Sequence, residues 1–373
     1  MAIHIENFHI GSFRGIHDLN VENLNHINII AGDNNCGKTS VLEALLLLRK
    51  PDDFNNILRI ARLRDFNPFI NPVPLYENFV NLFPRVMPDM EISLDSICRG
   101  KQMSCRLIGE QIKIMMDPED LAKKINPSRR YTSKSSIETG NIEADAFTGT
   151  LQYDISGHKD SIPVEFDSYS SISGREIKRS NSINMLYLSP TDHLYSNVFG
   201  SILKNDTYKE ICLRILQLFD TDIIDLIYLK NDNNSRPVEN IKHAKLGNMP
   251  ISTYGDGIKK VLSLANAIVM SAGGVLMIDE VETAIHSKYY DDIFRFLVKA
   301  SIQFDVQVFI TTQSTEAIYG LLSTQDYEKQ NTEDSISVIT FKKDTRNQRT
   351  YSRNLAGRNV YVNREEFGFE VRV

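Results

Sequence analysis

The residues 32–39, GDNNCGKT, constrain this chain more than any other stretch, because they sit between the apolar run INIIA and the segment SVLEAL. The spacing G-x-x-x-x-G-K-T puts Gly32 and Gly37 where backbone amides must turn inward. A helix starting at once then aims its N-terminus at the same space. Such a turn is a cradle for phosphate. In it Lys38 can reach β- and γ-phosphate oxygens, and the Thr39 hydroxyl can ligate Mg²⁺. Asn34, Asn35, Cys36 and Ser40 complete the loop, with Cys36 reading as a small tolerated residue rather than a redox switch. The expected site is therefore a nucleotide site for ATP and Mg²⁺, placed between a buried strand and a helix whose apolar face is Val41, Leu42, Ala44, Leu45 and Leu48.

Bulk properties narrow the partners. The net charge of -6 argues against a general polyanion binder, although a local basic strip can still touch nucleic acid. The four cysteines show no C-x-x-C spacing, and the N-terminus carries no secretion signal, so the expectation is a cytoplasmic protein with reduced thiols. Residues 261–278, VLSLANAIVMSAGGVLMI, form an uncharged run close to membrane-span length. Asn266, two serines and Gly273-Gly274 interrupt it, which predicts a buried helix, a glycine break and a buried strand, with no membrane contact.

The hydrophobic pattern predicts an α/β fold, a mixed sheet flanked by helices, with an antiparallel β subdomain and a helical insertion. Residues before the cradle read as strands. From residue 183 strands and helices alternate: INMLYLSP, YKEICLRILQLF, GIKKVLSLANAIVM, GVLMIDE, YYDDIFRFLVKAS, VQVFITT. That order implies parallel strands covered by helices. The expected domain plan is a core of residues 1–50 and 180–373. Residues 51–179 are an inserted helical and β region, with a mobile loop near 123–146.

Two further motifs carry chemistry. GVLMIDEVETAIH ends an apolar strand in Asp279 and Glu280; beside a phosphate loop the first acid can hold Mg²⁺ through water and the second can orient or deprotonate an attacking water. ISTYGDGIKKVLSLANAI opens a helix with a hydroxyl- and glycine-rich turn, a second anion-binding N-terminus. It cannot easily serve the nucleotide already enclosed by Lys38, so it is expected to cap the γ-phosphate held by another subunit.

In this order FRGI, INIIAGDNNCGKTSVLEAL, STYGDGIKKVLSLANAI, GVLMIDEVETAIH and VQVFITTQSTEAI resemble ABC-type P-loop ATPases of the branch containing RecF, the SMC heads and, most closely, the OLD-like family. The resemblance covers residues 1–50 and 183–320. It implies that residues 32–40 are the Walker A loop, Asp279 the Walker B acid and Glu280 the catalytic glutamate. It assigns Thr253, Gly255 and Asp256 to the signature turn and places Arg14 near the nucleotide. Glu282 and His286 match the DE-x-E…H extension. Where the family has histidine in its switch, this chain has Gln313, which can hydrogen-bond a γ-phosphate but cannot take up a proton. For the Q-loop glutamine only Gln102 and Gln111 offer themselves, neither in good context.

OLD proteins usually carry a TOPRIM nuclease domain, and the stretch after the switch holds no acidic cluster to replace it. The resemblance thus implies a stand-alone ATPase, a homodimer or higher homo-oligomer, controlling a separately encoded nuclease or toxin in anti-phage defence. A nucleotide-gated scaffold with little turnover and a RecF-like repair clamp are the alternatives. The basic residues Lys342, Lys343, Arg346, Arg349, Arg353 and Arg358, opposed along the sequence by Asp344, read equally well as a nucleic-acid or acidic-partner contact and as a solvated strand face.

Overall fold

A computed structural model of the chain describes residues 3–32, 35–65, 73–85, 90–117, 121, 124, 142–172, 183–194, 198–230, 237–327, 334–344, 346 and 349–367. The strands are β1 (Asn7–Phe13), β2 (Ile16–Val21), β3 (Ile27–Ala31), β4 (Met90–Cys98), β5 (Lys101–Met116), β6 (Ile142–Ile155), β7 (His158–Asp167) and β8 (Met185–Leu188). They continue as β9 (Ile223–Leu229), β10 (Val238–His243), β11 (Gly247–Pro250), β12 (Val275–Ile278), β13 (Gln307–Thr312), β14 (Ile336–Lys343) and β15 (Thr350–Ala356). The helices are α1 (Lys38–Leu45), α2 (Phe54–Ala61), α3 (Leu75–Val80), α4 (Phe199–Ile202), α5 (Asp206–Leu216), α6 (Asp256–Met270), α7 (Tyr290–Gln303), α8 (Thr315–Leu322) and α9 (Gly357–Phe367).

Six strands form the central sheet in the order β15-β14-β3-β13-β12-β8. All neighbours pair in parallel except β15, which returns antiparallel against β14. The strands that become this sheet are short and apolar on both sides, as the faces demand. Ile27, Ile29, Leu276, Ile278, Val308 and Ile310 enter a core shared with α5, α6, α7 and α8. The alternate residues Ile30, Val275, Met277 and Phe309 enter a second core with α1 and α2. Period-two alternation with both sets apolar is what burial on both faces requires.

The second core is closed by a six-stranded antiparallel sheet, β2-β1-β4-β5-β6-β7. Here the expected domain plan meets a difference. Residues 51–179 do not stand apart from the N-terminal strands: β4 pairs with β1 from Asn7↔Ile97 to Ser12↔Ser93, and Ile92, Leu94, Leu107 and Phe147 share one core with Phe8, Ile10 and α1. Long-range strand pairing of this kind leaves no local signature in sequence. The loop expected near 123–146 lies largely outside the described residues, but its last residues, from Ile142, belong to β6.

Gln307, fully buried at the start of β13, ties the N-terminal segment to the central sheet. Its Oε1 accepts from His4 N at 3.0 Å and Ile5 N at 2.7 Å, and its Nε2 donates to Ile5 O and Asn25 O. A three-stranded antiparallel sheet, β11-β10-β9, stands beside the start of α6. The uncharged run 261–278 breaks where expected: α6 ends at Met270, Gly273 takes φ +66°, and β12 begins at Val275. No helix among the described residues is long and apolar enough to cross a membrane.

Candidate functional site

The carboxyl ends of β3, β8, β12 and β13 lie at one edge of the parallel sheet, because Ala31 is level with Thr312, and Ile278 with both Ile310 and Leu188. The phosphate-loop turn leaves β3 at Gly32 and enters α1 at Lys38. It needs left-handed backbone at three described positions: Gly32 (φ +145°), Asn35 (φ +63°) and Gly37 (φ +99°). Gly37 is the N-cap of α1, and no side chain caps the helix, which leaves its first-turn amides to an incoming anion. Lys38 is buried and its Nζ donates to Gly32 O at 2.7 Å, so the ammonium folds back over the loop it belongs to. Cys36 is half-buried with its thiol against Gly32, and Ser40 is half-buried on the first turn. Asn34 lies outside the described residues.

Asp279, one residue past β12, is the convergence point. Its carboxylate accepts from Thr39 Oγ1 at 3.0 and 3.1 Å, from Tyr187 OH at 3.0 Å and from Thr311 Oγ1 at 2.5 Å. Burial, then the charges of Asp279 and Glu43, push the Tyr187 phenol far above its ordinary range, so it stays a donor. Thr311 does double duty, since its Oγ1 also accepts from Glu280 N at 2.8 Å. Glu280 sits at φ +46°, a strained conformation for a residue with a Cβ, held by that bond and by Thr283 Oγ1 at 3.4 Å from its carboxylate. Three strands thus fix the two acids that the sequence singled out.

Thr39 Oγ1 and the Asp279 oxygens are hard oxygen donors set 3.0–3.1 Å apart. That is close to the edge of about 2.8–3.0 Å between adjacent ligands of an octahedron with metal–oxygen distances of about 2.0–2.1 Å, the size Mg²⁺ demands. The donor set fits Mg²⁺.

Arg14 occupies the β1–β2 turn at φ +52°. Its Nε lies 2.7 Å from Glu43 Oε2, and Arg64 pairs with the same carboxylate through Nε and Nη2, both at 2.8 Å. Glu43 has no exposed surface. Arg64 Nη2 also donates to Ser40 Oγ at 3.0 Å, which brings a second guanidinium to the phosphate loop. Sequence reasoning found Arg14 and missed Arg64, Glu43, Tyr187 and Thr311. Only Thr311, in ITTQS at the end of an apolar strand, had a local signal; the others reach the site by tertiary contact.

The turn expected to be the signature turn opens α6 at the surface. Thr253 and Asp256 are exposed, Gly255 is the N-cap of α6, Thr253 Oγ1 donates to Pro250 O, and Asp256 accepts from Lys259 Nζ at 3.1 Å. Gln313 is exposed after β13, with its backbone amide on Glu282 Oε1 at 3.1 Å. His286 caps the short 3₁₀ turn Ser287–Tyr289, accepting from Lys288 N at 3.2 Å. That is a structural job for its ring. Gln102 and Gln111 both lie on β5, and Gln111 reaches Tyr76 OH at 3.4 Å. The basic tail is partly neutralised in the fold: Arg349 pairs with Asp18, and the Arg358 guanidinium donates to Tyr327 O and lies over that ring.

One metal-like cluster is satisfied internally. Asp220, Asp222 and His243 converge, yet His243 Nδ1 accepts the amides of Lys245 and Leu246, its Nε2 faces Asp220 at 3.1 Å, and Lys245 Nζ pairs with Asp222.

A parallel sheet with this loop after one strand, a paired acid after the next strand but one and a glycine turn opening the long helix defines a P-loop NTPase with an ABC-type head. The chain belongs to the family described as "AAA domain, putative AbiEii toxin, Type IV TA system", which matches residues 128–318, just over half its length; a further AAA domain family matches residues 2–48. Among curated proteins it is similar to an ATP/GTP phosphatase of Helicobacter pylori, 24% identical over 84% of this chain and 86% of that protein. A shorter match, 52% identical over 16% of this chain and 27% of its relative, is to an uncharacterised protein of Methanocaldococcus jannaschii. A solved SMC head bound to the C-winged helix domain of ScpA superposes with a TM-score of 0.50 at 12% identity, covering 95% of this chain and 98% of that one.

Proposed function

We propose that this chain binds ATP with Mg²⁺ in the loop 32–40 and hydrolyses it to ADP and phosphate, the nucleotide being enclosed between two copies of the chain. The observation that carries the reading is the convergence on Asp279 of Thr39 from the phosphate loop with Tyr187 and Thr311 from the strands on either side, leaving Glu280 next in line. Bound Mg²⁺ would be held by Thr39 and Asp279 and would neutralise charge on the β- and γ-phosphates. The glycine-loop amides and Lys38 would orient the γ-phosphoryl group, with Arg14, Arg64, Asn35, Cys36 and Ser40 as the walls of the cradle. Glu280 takes a proton from a water; the water oxygen bonds to the γ-phosphorus as the bond to the β–γ bridging oxygen breaks, and ADP leaves with that electron pair. The partner copy contributes its signature turn, Thr253, Gly255 and Asp256, to the γ-phosphate.

The family description and the phosphatase relative support nucleotide hydrolysis. Control of a separate effector in the cytoplasm, in defence against phage, is the further part of this reading and rests on the resemblance to OLD-like ATPases. Gln313 favours a second reading, a nucleotide-gated scaffold that turns over slowly, since it has no proton to exchange near neutral pH.

Phosphate release from ATP and from GTP decides between them. The expected result is release by wild type that falls about a hundredfold or more in Glu280→Gln. Equal rates in the two proteins would end the hydrolytic reading and leave the scaffold. For the enclosed nucleotide, Thr253→Arg should abolish ATP-dependent association measured by light scattering; normal association would discard the role of the partner's turn.

A further inference from the structure

The helix that starts at the signature turn carries a charge into the core. Lys260 on α6 has no exposed surface, and its Nζ has no hydrogen-bond partner among the described residues. Its neighbours along the helix, Val261, Leu262 and Leu264, are apolar and buried, as the position would lead one to expect of Lys260 too. An unpaired buried ammonium is costly, and an apolar side chain of the same length would remove that cost.

The surroundings of the ammonium are not those of a random core position. The first turn of its helix packs on the segment after β12: a Cβ added at Gly257, three residues before Lys260 on the same helix face, would lie 3.3 Å from Ala284 O. Without an ion pair to any of them, the ammonium feels the charges of Asp192 from the 3₁₀ turn after β8 and of Asp279, Glu282 and Glu280 from the segment after β12, and acts in turn on His193; Asp256 and Lys259 precede it on its own helix. Three other buried polar atoms of the same segments also lack a hydrogen-bond partner among the described residues, Ser189 Oγ, His193 Nδ1 and Glu282 Oε2. Lys260 lies four residues beyond Asp256, which places it about 6 Å along the helix axis from the exposed turn. One rigid element therefore joins the surface that would meet a second copy's nucleotide to the acids that would act on this copy's own.

We propose that Lys260 is a positioning residue for hydrolysis, whose ammonium orders the Glu280 and Glu282 carboxylates and passes a displacement of the signature turn to them. The inference rests on the proposed hydrolysis and on the enclosed nucleotide. Lys260 touches neither phosphate nor water; it acts through the carboxylates.

Lys260→Met keeps the volume and removes the charge, and Lys260→Arg restores the charge. In steady-state hydrolysis the Met variant should lose about tenfold or more in kcat with KM for ATP within about twofold, and Arg should recover part of the loss. A lysine with no part in hydrolysis predicts an unchanged kcat in the Met variant, whatever its melting temperature, and that result would overturn the proposal. A second readout does not need turnover. In protein labelled with ¹³Cε-lysine, the signal that disappears in Lys260→Met should move when a non-hydrolysable ATP analogue and Mg²⁺ are added to wild type, and move less in Thr253→Arg. A Lys260 signal that stays fixed in wild type overturns the proposal. Should wild type release no phosphate while that signal moves, the hydrolytic reading fails and the coupling through Lys260 stands.

Discussion

Asp279 and Lys260 show at the scale of single residues how the site trades stability for placement. Asp279 gathers three hydroxyl donors, so its burial is compensated by hydrogen bonds. Lys260 is not compensated in this way, and burial pushes its ammonium down to about 8, against the partial relief of Asp192, Asp279, Glu282 and Glu280. The sign of the consequence follows. Because the folded pKa lies below the unfolded value of 10.5, the cost of the buried charge is fully present below pH 8 and is relieved as pH rises from about 8 to 10.5. A shift of two to three units corresponds to a few kcal/mol, at about 1.4 kcal/mol per unit. Lys260→Met should therefore unfold at higher urea than wild type at pH 7, by on the order of 1–3 kcal/mol, with the gap closing towards pH 10. A gap that widens with pH would show that the lysine is not buried as a cation. Of the residues at the site, Lys38, Thr39, Asp279 and Glu280 were legible in sequence because each sits at a fixed offset from a glycine turn or a strand end. Arg64, Glu43 and Tyr187 were not, since their roles depend on partners 21 to 92 positions away.

Among the elements, the strands and helices that line the site were visible as patterns. The run 261–278 resolves into α6 and β12 because Gly273 adopts a left-handed turn between them, and the alternation from β8 to β13 gives the parallel order that was expected. What the pattern did not show is the attachment of β4–β7 to β1, because antiparallel pairing between distant segments is selected by the whole sheet. The link between the two sheets runs partly through Gln307, whose amide answers both the amides of His4 and Ile5 and the carbonyls of Ile5 and Asn25. Gln307→Leu leaves those buried groups unpaired and should cost about 2–4 kcal/mol in urea unfolding. An unfolding midpoint shift below about 0.5 kcal/mol would mean that the N-terminal segment is not held there.

For the whole molecule, two cores on the two faces of one parallel sheet hold the ends of β3, β8, β12 and β13 in register, and so hold the loop, Tyr187, the acids and Thr311 against each other. Nucleotide that binds the folded chain alone should stabilise it by about 2.7 kcal/mol at a hundredfold excess over Kd. A thermal melt with ATP and Mg²⁺ should show this in wild type and not in Lys38→Ala; an equal shift in both would place binding elsewhere. The sequence by itself determined the phosphate loop, the acid pair and the glycine turn that opens α6, because each is a short stretch whose backbone chemistry is local: glycines at turns, hydroxyls at helix starts, carboxylates at strand ends. Only the tertiary structure decided that Glu43 binds Arg14 and Arg64 into one cluster, that Thr311 bridges Asp279 to Glu280, and that Lys260 on α6 is fully buried. Those are relations between distant segments, set by how two sheets and their helices pack, and no local pattern encodes them.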